Sequence, residues 1–319
     1  MSDDPLLSAL PADLAAQVTS LRRAGGRVIV VADASGLPAA RRDGLEQALK
    51  DALGAQPGVG EVHVALTADK PRRRMIAVGS GKGGVGKSTL TTNLAVALAR
   101  AGRRVGIVDA DIYGPSQPML LGTSSAKPEA AGDKLVPVPT AFGVSVLSMG
   151  HLIAPGRAIA WRGPMAGKAL EQLIDAEWGD TDLLLIDLPP GTGDVQISML
   201  QRHKPDGAVI VSTPQDLALI DAARAGQLLE AAGVPVIGLV ENMAGYRCPH
   251  CGETSDPFGH GGIEAAAARM ELPFLGRIPL APTIREASDR GAPPAASEGS
   301  EAAAFAAIAA RLDEWLDQA

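Results

Sequence analysis

The stretch GSGKGGVGKST, residues 79–89, decides the fold. Its core GKGGVGKS, residues 81–88, matches the phosphate-loop pattern G-x-x-x-x-G-K-[ST]. The apolar run MIAVGS at 75–80 precedes the loop, and the helical pattern STLTTNLAVALARAG at 88–102 follows it. A strand, a glycine loop and a helix in this order predict a nucleotide site, because glycines let backbone N–H groups turn toward phosphate oxygens.

Individual residues of the loop are expected to have different roles in nucleotide binding. Lys87 is expected to neutralise the β and γ phosphates, and the Ser88 hydroxyl is expected to ligate Mg²⁺. The N-terminus of the following helix adds partial positive charge. The predicted nucleotide-binding residues of this segment are Gly81, Lys82, Gly83, Gly84, Val85, Gly86, Lys87, Ser88 and Thr89.

Three aspartates end predicted strands. Asp109 and Asp111 close the strand pattern RRVGIVDAD, and Asp187 closes LLLID. The carboxyl ends of parallel strands face one crevice, so these carboxylates are expected to meet the metal and the attacking water beside the phosphate loop. Either Asp109 or Asp111 alone could instead be a helix cap, but the pair beside a phosphate loop favours a functional role.

The rest of the chain predicts a doubly wound α/β fold. Apolar runs of strand length at 183–190, 207–215 and 234–243 alternate with helical patterns such as 216–233. Continuous apolar strands between helices are typical of a mostly parallel sheet that is covered on both faces. We therefore predict a P-loop domain over residues 73–319.

A smaller α/β unit is predicted over residues 1–72. Its elements are a strand at 27–33, a helix at 40–55 and a strand at 58–69, and the basic run KPRRR at 70–74 joins it to the larger domain. In the larger domain, the sequence predicts an insertion loop or small hairpin at 123–140, a mobile linker at 291–300 and a final helix at 301–317.

Charge and hydropathy argue against nucleic-acid and membrane partners. The 319 residues carry a net charge of −7 with a pI of about 5.3, so no broad basic face is expected. No apolar run reaches membrane-spanning length, and the N-terminus lacks a secretory pattern, which predicts a cytoplasmic protein. The final helix is acidic and is therefore expected to pack or face water.

The chain has two cysteines, Cys248 and Cys251, in the sequence CPHC. Two thiolates are half of the four ligands that a [4Fe–4S] cluster or a structural zinc usually takes. Three arrangements remain open. Two chains pool their cysteine pairs at a two-fold axis, or His250 and His260 complete a zinc site within one chain, or the pair is a redox dithiol. His250 lies inside the pair, where it can hardly turn onto the same metal.

The early lysine, Lys82, makes the loop resemble the deviant Walker A motif of MinD, ParA, the arsenical-pump ATPase and the nitrogenase iron protein. This resemblance implies a homodimer in which Lys82 reaches the partner's nucleotide. It also implies that Asp111 positions the attacking water and that Asp109 and Asp187 hold waters on Mg²⁺. The catalytic residues predicted in this way are Lys82, Lys87 and Asp111.

A narrower resemblance rests on seven segments that occur in order. They are SGKGGVGKSTLTTNLA, VDADIYGPSQP, WRGPM, LLIDLPPGTGD, STPQDLALID, VENMAGYRCPHCG and GRIPL. Together they resemble the Mrp/ApbC iron–sulfur carrier proteins over residues 73–294. The resemblance implies a slow ATPase that binds ATP, Mg²⁺ and a [4Fe–4S] cluster shared by two chains.

The same resemblance has further implications. It places Asn242 and Pro279 near the adenine, and it implies as partners apo iron–sulfur client proteins and upstream cluster-assembly proteins. The reactive cysteine and acidic turn that many members carry in a small N-terminal domain are absent here. The alternative function is a MinD/ParA-type positioning or partitioning ATPase with a structural zinc knuckle, which would be expected to have a basic surface or tail.

Overall fold

The computed structural model describes residues 5–35, 37, 39–67, 73–112, 114–152, 163–191 and 193–318. These residues form two compact units, Met1–Arg73 and Arg74–Ala319. Most of the basic run KPRRR, and Trp161 and Arg162 of the WRGPM segment, lie outside the described residues.

The first unit is a three-stranded sheet with one long helix packed on it. Strand β2 pairs antiparallel with β1 and parallel with β3. Alternate residues of β2, such as Val28 and Val30, are fully buried with Leu49 and Leu53 of the helix. The predicted strand–helix–strand order is present, but β1 was not predicted. The elements are α1 (Pro5–Ser8), α2 (Ala12–Ala15), β1 (Val18–Ala24), β2 (Arg27–Asp33), α3 (Ala39–Gly54) and β3 (Glu61–Thr67).

The second unit alternates strands and helices along most of its length. Its strands are β4 (Arg74–Gly79), β5 (Val105–Asp109), β6 (Glu129–Ala131), β7 (Lys134–Val136), β8 (Val138–Pro139), β9 (Val144–Ser148), β10 (Leu183–Asp187), β11 (Gly207–Ser212), β12 (Val236–Glu241), β13 (Tyr246–Arg247), β14 (Thr254–Ser255) and β15 (Phe274–Arg277). Its helices are α4 (Lys87–Arg100), α5 (Gln117–Leu120), α6 (Met149–Leu152), α7 (Gly163–Ile174), α8 (Asp194–Arg202), α9 (Asp216–Ala231), α10 (Gly262–Arg269), α11 (Pro282–Asp289), a 3₁₀ turn (Pro294–Ala296) and α12 (Ser300–Gln318).

Eight strands form the central sheet of this unit, in the order β15–β12–β11–β4–β10–β5–β9–β8. The first seven are parallel, and β8 pairs antiparallel with β9 at one edge. Successive residues of β10 face opposite sides: Leu183 and Leu185 pack with α4 and α12, whereas Leu184 and Ile186 pack with α7 to α10. The predicted doubly wound, mostly parallel sheet is confirmed.

Two expectations about connecting segments meet different outcomes. The segment 123–140 contains the antiparallel pair β6–β7, as a small hairpin. The prediction of a mobile linker at 291–300 is wrong, because side chains of α4 bind its backbone. Asn93 accepts the N–H of Ala295 at 2.8 Å, and Arg100 donates to the carbonyls of Ala295 (2.7 Å) and Ser297 (2.8 Å).

The final helix packs on the sheet unit, as expected from its acidic surface. Its apolar face, which includes Phe305, Ile308 and Leu312, is buried against the core that contains α4. Arg103 ties the helix to the start of β5 by pairing with Asp313 at 2.6 Å and with Asp317. Among the described residues, no helix has the length and apolarity needed to span a bilayer.

Replacing Leu312 by alanine tests this packing. Leu312 is fully buried, so Leu312→Ala removes apolar contacts and leaves a cavity, which is expected to cost about 2–5 kcal/mol of unfolding free energy. Urea denaturation followed by circular dichroism measures the loss. Glu314→Ala, at an exposed position of the same helix, is the control and is expected to change stability by about 0.5 kcal/mol or less. Equal stability of the two variants would contradict the packing.

Candidate functional site

The phosphate loop has a backbone that requires glycine at several positions. Gly84 and Gly86 adopt left-handed φ angles of 79° and 87°. A Cβ atom on Gly86 would lie 2.1 Å from the Asn242 side-chain nitrogen, and one on Gly81 would lie 2.1 Å from the carbonyl oxygen of Asp221. The loop is therefore shaped by α9 on one side and by the end of β12 on the other.

Lys87, the first residue of α4, forms a buried ion pair with Asp187. Its Nζ lies 2.5 Å from Asp187 Oδ1 and 3.2 Å from the Ser88 hydroxyl, and Thr91 also donates to Asp187 Oδ1 at 3.3 Å. Asp187 is fully buried and Lys87 is 6% exposed. A bound phosphate would therefore compete with Asp187 for the ammonium group.

Asp109 lies beside Asp187 because the two residues are register partners on the adjacent strands β5 and β10. Asp109 Oδ2 accepts hydrogen bonds from the Ser148 hydroxyl (2.8 Å) and from the backbone N–H groups of Ser116 and Gln117 (3.1 Å each). Burial, and then the negative charge of Asp187, raise the pKa of Asp109 to about 7 in spite of these donors.

Sequence reasoning missed Gln117, which connects three parts of the site. Its Nε2 donates to Asp187 Oδ2 at 2.9 Å and to the Ser88 carbonyl at 3.1 Å, and its Oε1 accepts the Thr92 hydroxyl at 2.7 Å. The side chain is fully buried. The available signal was a glutamine within VDADIYGPSQP, a segment that crosses the carboxyl edge of the sheet.

The charges of this cluster fit a divalent cation. Asp109, Asp111 and Asp187 are all buried, and Lys87 is in direct contact with Asp187. Burying a carboxylate is unfavourable, and burial, followed by the neighbouring charge of Asp187, raises the pKa of Asp109. Mg²⁺ prefers carboxylate, hydroxyl and water oxygens, so Asp109, Asp187 and the Ser88 hydroxyl suit it in kind, although no three acidic side chains of the described residues are arranged as a direct ligand set.

A cavity of about 410 Å³ extends from the loop toward an apolar end. Ser88, Thr89 and Asp111 line the polar end, and the apolar wall comprises Met243, Ile278, Pro279, Leu280 and Ile284. Its volume and lining are typical of a small-molecule site. One end offers hydrogen-bond donors for a phosphate, and the other has room for a flat ring. The two positions that were predicted near adenine, Asn242 and Pro279, both line this cavity.

Two predicted residues make contacts that restrict their roles. The Asn242 side-chain amide donates to the Val85 carbonyl at 2.8 Å, so it supports the loop as well as lining the cavity. Lys82 is absent from the described cavity lining, and its Nζ donates to Gln215 Oε1 at 3.3 Å. Within one chain, therefore, Lys82 is directed to Gln215 and Lys87 to the phosphate site.

The cysteine pair lies at the tip of the short hairpin β13–β14. Cys248 N–H donates to the Glu253 carbonyl and Gly252 N–H donates to the Cys248 carbonyl, each at 2.9 Å. Backbone N–H groups of Cys251 and His250 lower the pKa of the Cys248 thiol, which favours the thiolate that binds metals. Both thiols are free, and Cys251 is exposed.

One chain presents two thiols without the histidines of a complete zinc site. Among the described residues, no group of three or more His, Cys, Asp or Glu side chains is arranged to hold a metal ion. The His260 ring lies instead 3.6 Å from the Asp256 carboxylate. The Cys₂His₂ arrangement within one chain is therefore not formed in this structure.

Comparison with known proteins identifies a family and relatives for most of the chain. The profile of the NUBPL iron-transfer P-loop NTPases, within ParA, matches residues 72–313. An iron–sulfur cluster carrier protein of Deinococcus radiodurans is 45% identical over 280 residues, which are 84% of this chain and 79% of that protein.

Two solved structures share the fold. A nucleotide-binding protein of Archaeoglobus fulgidus in complex with ADP is 43% identical, covers 68% of this chain and 86% of its own, and has a TM-score of 0.61. The cell-division ATPase MinD of Pyrococcus furiosus is 30% identical, covers 76% of this chain and 99% of its own, and has a TM-score of 0.57.

The raised pKa of Asp109 predicts a pH dependence of stability in the protein without nucleotide or divalent metal. The native state keeps a proton that the unfolded chain releases near its ordinary pKa of 3.8, so this stabilisation is lost as pH rises through about 7. The unfolding free energy of the wild type minus that of Asp109→Asn is expected to fall between about pH 4 and pH 7 and to level off above that. Denaturant titrations at several pH values measure this difference, and a constant difference would contradict the assignment.

Proposed function

Since the chain belongs to the NUBPL iron-transfer P-loop NTPase family, we propose that it is a cytoplasmic ATPase that carries a [4Fe–4S] cluster to apoproteins. One observation carries the proposal: a single compact unit holds both a phosphate loop with the buried Lys87–Asp187 pair and an exposed two-thiol hairpin. The name of the Deinococcus radiodurans relative supports the cargo, and the ADP in the Archaeoglobus fulgidus complex supports the nucleotide.

The proposed active form is a homodimer that shares one cluster. Cys248 and Cys251 supply two of the four thiolates that a [4Fe–4S] cluster usually takes, so a second chain would supply the other two. An exposed apolar side chain supports an interface near the phosphate loop. Ile220 is 52% exposed near the start of α9, and α9 approaches the loop at Gly81.

In the proposed hydrolysis, this chain's residues bind, orient and neutralise. Lys87 exchanges its contact with Asp187 for the β and γ phosphates, and backbone N–H groups of the loop hold the remaining oxygens. Asp111 orients the attacking water, and Ser88, Asp109 and Asp187 would hold Mg²⁺ directly or through water. Bound Mg²⁺ neutralises charge on the phosphates. Lys82 exchanges Gln215 for the nucleotide of the partner chain.

The cluster is cargo and not a permanent cofactor. The hairpin is exposed, and two residues separate its cysteines. A few backbone hydrogen bonds hold the hairpin in shape, which suits a bound group that must leave. Upstream cluster-assembly proteins would supply the cluster, and apo iron–sulfur clients would receive it. A positioning ATPase that acts on membranes is less well supported, because α12 is acidic and its apolar face is buried.

Anaerobic reconstitution tests the cargo. The wild type is expected to elute as a dimer with about two iron and two acid-labile sulfide atoms per chain, as one shared four-iron cluster requires. Cys248→Ser is expected to lose the cluster. His250→Ala, which changes a side chain inside the knuckle but no thiol, is the control and is expected to bind it fully. A full cluster on Cys248→Ser, or zinc alone on the wild type, would refute the carrier proposal.

Two lysine variants test the division of roles in the loop. Lys87→Ala is expected to weaken ATP binding about 10- to 100-fold, because a charge-assisted contact to phosphate is lost. Lys82→Ala is expected to keep ATP binding and to lower kcat about 10³-fold, as for a charge supplied in trans. Isothermal titration calorimetry measures ATP affinity, and phosphate release measures kcat. Lys127→Ala, at an exposed position, is the control. Equal losses of binding in both loop variants would contradict the assignment in trans.

A further inference from the structure

The wall of the nucleotide cavity continues directly into the cysteine hairpin. Asn242 and Met243, which line the cavity, follow β12, and Tyr246 begins β13 three residues later. Cys248 comes two residues after Tyr246, which is about 7 Å along an extended strand. We call residues 243–247 the connecting strand, because they join the apolar end of the cavity to the first thiol.

The connecting strand is also hydrogen-bonded to residues 278 and 280 of the same apolar wall. Ala244 N–H donates to the Ile278 carbonyl at 3.0 Å, and Leu280 N–H donates to the Gly245 carbonyl at 2.9 Å. A parallel bridge joins Tyr246 to Leu280. Ile278 and Leu280 line the cavity, so two further residues of its apolar wall are attached to the strand that leads to Cys248.

The backbone of the connecting strand is conformationally unusual. Met243 has a φ of 58°, in the left-handed region that non-glycine residues seldom occupy, and Gly245 has a φ of 73°. Met243 lies where the cavity wall meets the connecting strand, so a nucleotide base in the cavity would pack against its side chain. The backbone of Met243 has few alternative conformations. Movement at this point is therefore expected to be transmitted along the strand.

We propose that the connecting strand positions the cysteine pair according to nucleotide occupancy, within a single chain. A base in the cavity orders residues 243–247, and this order holds Cys248 and its hairpin in place. By linkage, a metal group on the hairpin changes nucleotide affinity by the same factor. The proposal rests on the nucleotide and cluster sites of the proposed function and adds how one regulates the other.

The test measures alkylation of each cysteine by iodoacetamide in the full-length, reduced, metal-free chain, with mass spectrometry of the peptide. The protein is kept monomeric, as verified by light scattering, and ADP is used so that hydrolysis is excluded. Saturating ADP is expected to slow alkylation of Cys248 at least about fivefold, because local opening of the hairpin becomes rarer. An unchanged or faster rate at saturating ADP would overturn the proposal.

Gly245→Ala is the uncoupling variant. Gly245 does not line the cavity, and an added Cβ would meet only ordinary contacts at 3.8 and 3.9 Å, so the change acts through its left-handed backbone. It is expected to bind ADP as the wild type does and to lose the protection of Cys248. Gly132→Ala is the matched control, with a φ of 66° in the β6–β7 turn and open space around it, and is expected to retain the full response. A full response in Gly245→Ala would refute the role of the connecting strand.

A reciprocal measurement does not depend on the folding of any glycine variant. ADP affinity is measured by calorimetry in the wild type with and without Zn²⁺ as the probe, and the same is done with the Cys248→Ser/Cys251→Ser double variant. Zn²⁺ is expected to tighten ADP binding only when the thiols are present. If ADP binds but Zn²⁺ has no thiol-dependent effect, the coupling is refuted. If ADP does not bind at all, the proposed function fails instead.

Discussion

The second unit depends on a row of polar residues at the carboxyl edge of an otherwise apolar sheet. Ser148, Asp109 and Asp187 are register partners on the adjacent strands β9, β5 and β10, and all three are fully buried. Buried carboxylates are tolerated only with donors or cations around them. Lys87 and Gln117 provide these contacts, so the first turns of α4 and α5 are fixed by the charges they must satisfy.

This constraint connects stability to function. The Lys87–Asp187 pair is well formed, and burial, together with the negative charge of Asp187, raises the pKa of Asp109 beside it. A site of this kind can exchange partners. A polyphosphate would take the place of Asp187 beside Lys87, and the cation bound to that polyphosphate would take the place of Lys87 beside Asp187. Lys82 and Gln215 form a similar exchangeable contact at the other end of the loop. Neither contact needs a change in the sheet itself.

Much of the larger unit could be predicted because its signals are local. The glycine loop, the apolar strands and the aspartates at strand ends each follow from a few consecutive residues, and the parallel sheet follows from their order. The linker expectation at 291–300 failed because the ordering groups, Asn93 and Arg100, lie about 200 positions away on α4. Gln117 was missed for the same reason, since its role depends on Ser88 and Asp187. Strand β1 has no fully buried residue and four exposed ones, and therefore gave a weak pattern.

The placement of the two cysteines shows why sequence motifs alone do not reveal coupling. In sequence, CPHC follows the Asn242 segment and precedes GRIPL by 24 positions, so the three motifs read as separate features. In the fold, hydrogen bonds between residues 244–245 and residues 278 and 280 join them into one wall. The thiols extend from the same backbone that bounds the cavity, so in the proposed carrier a metal group held there would lie a few residues from the nucleotide. Such proximity suits a carrier, because a small change in the order of residues 243–247 can regulate a cargo that is held by few contacts.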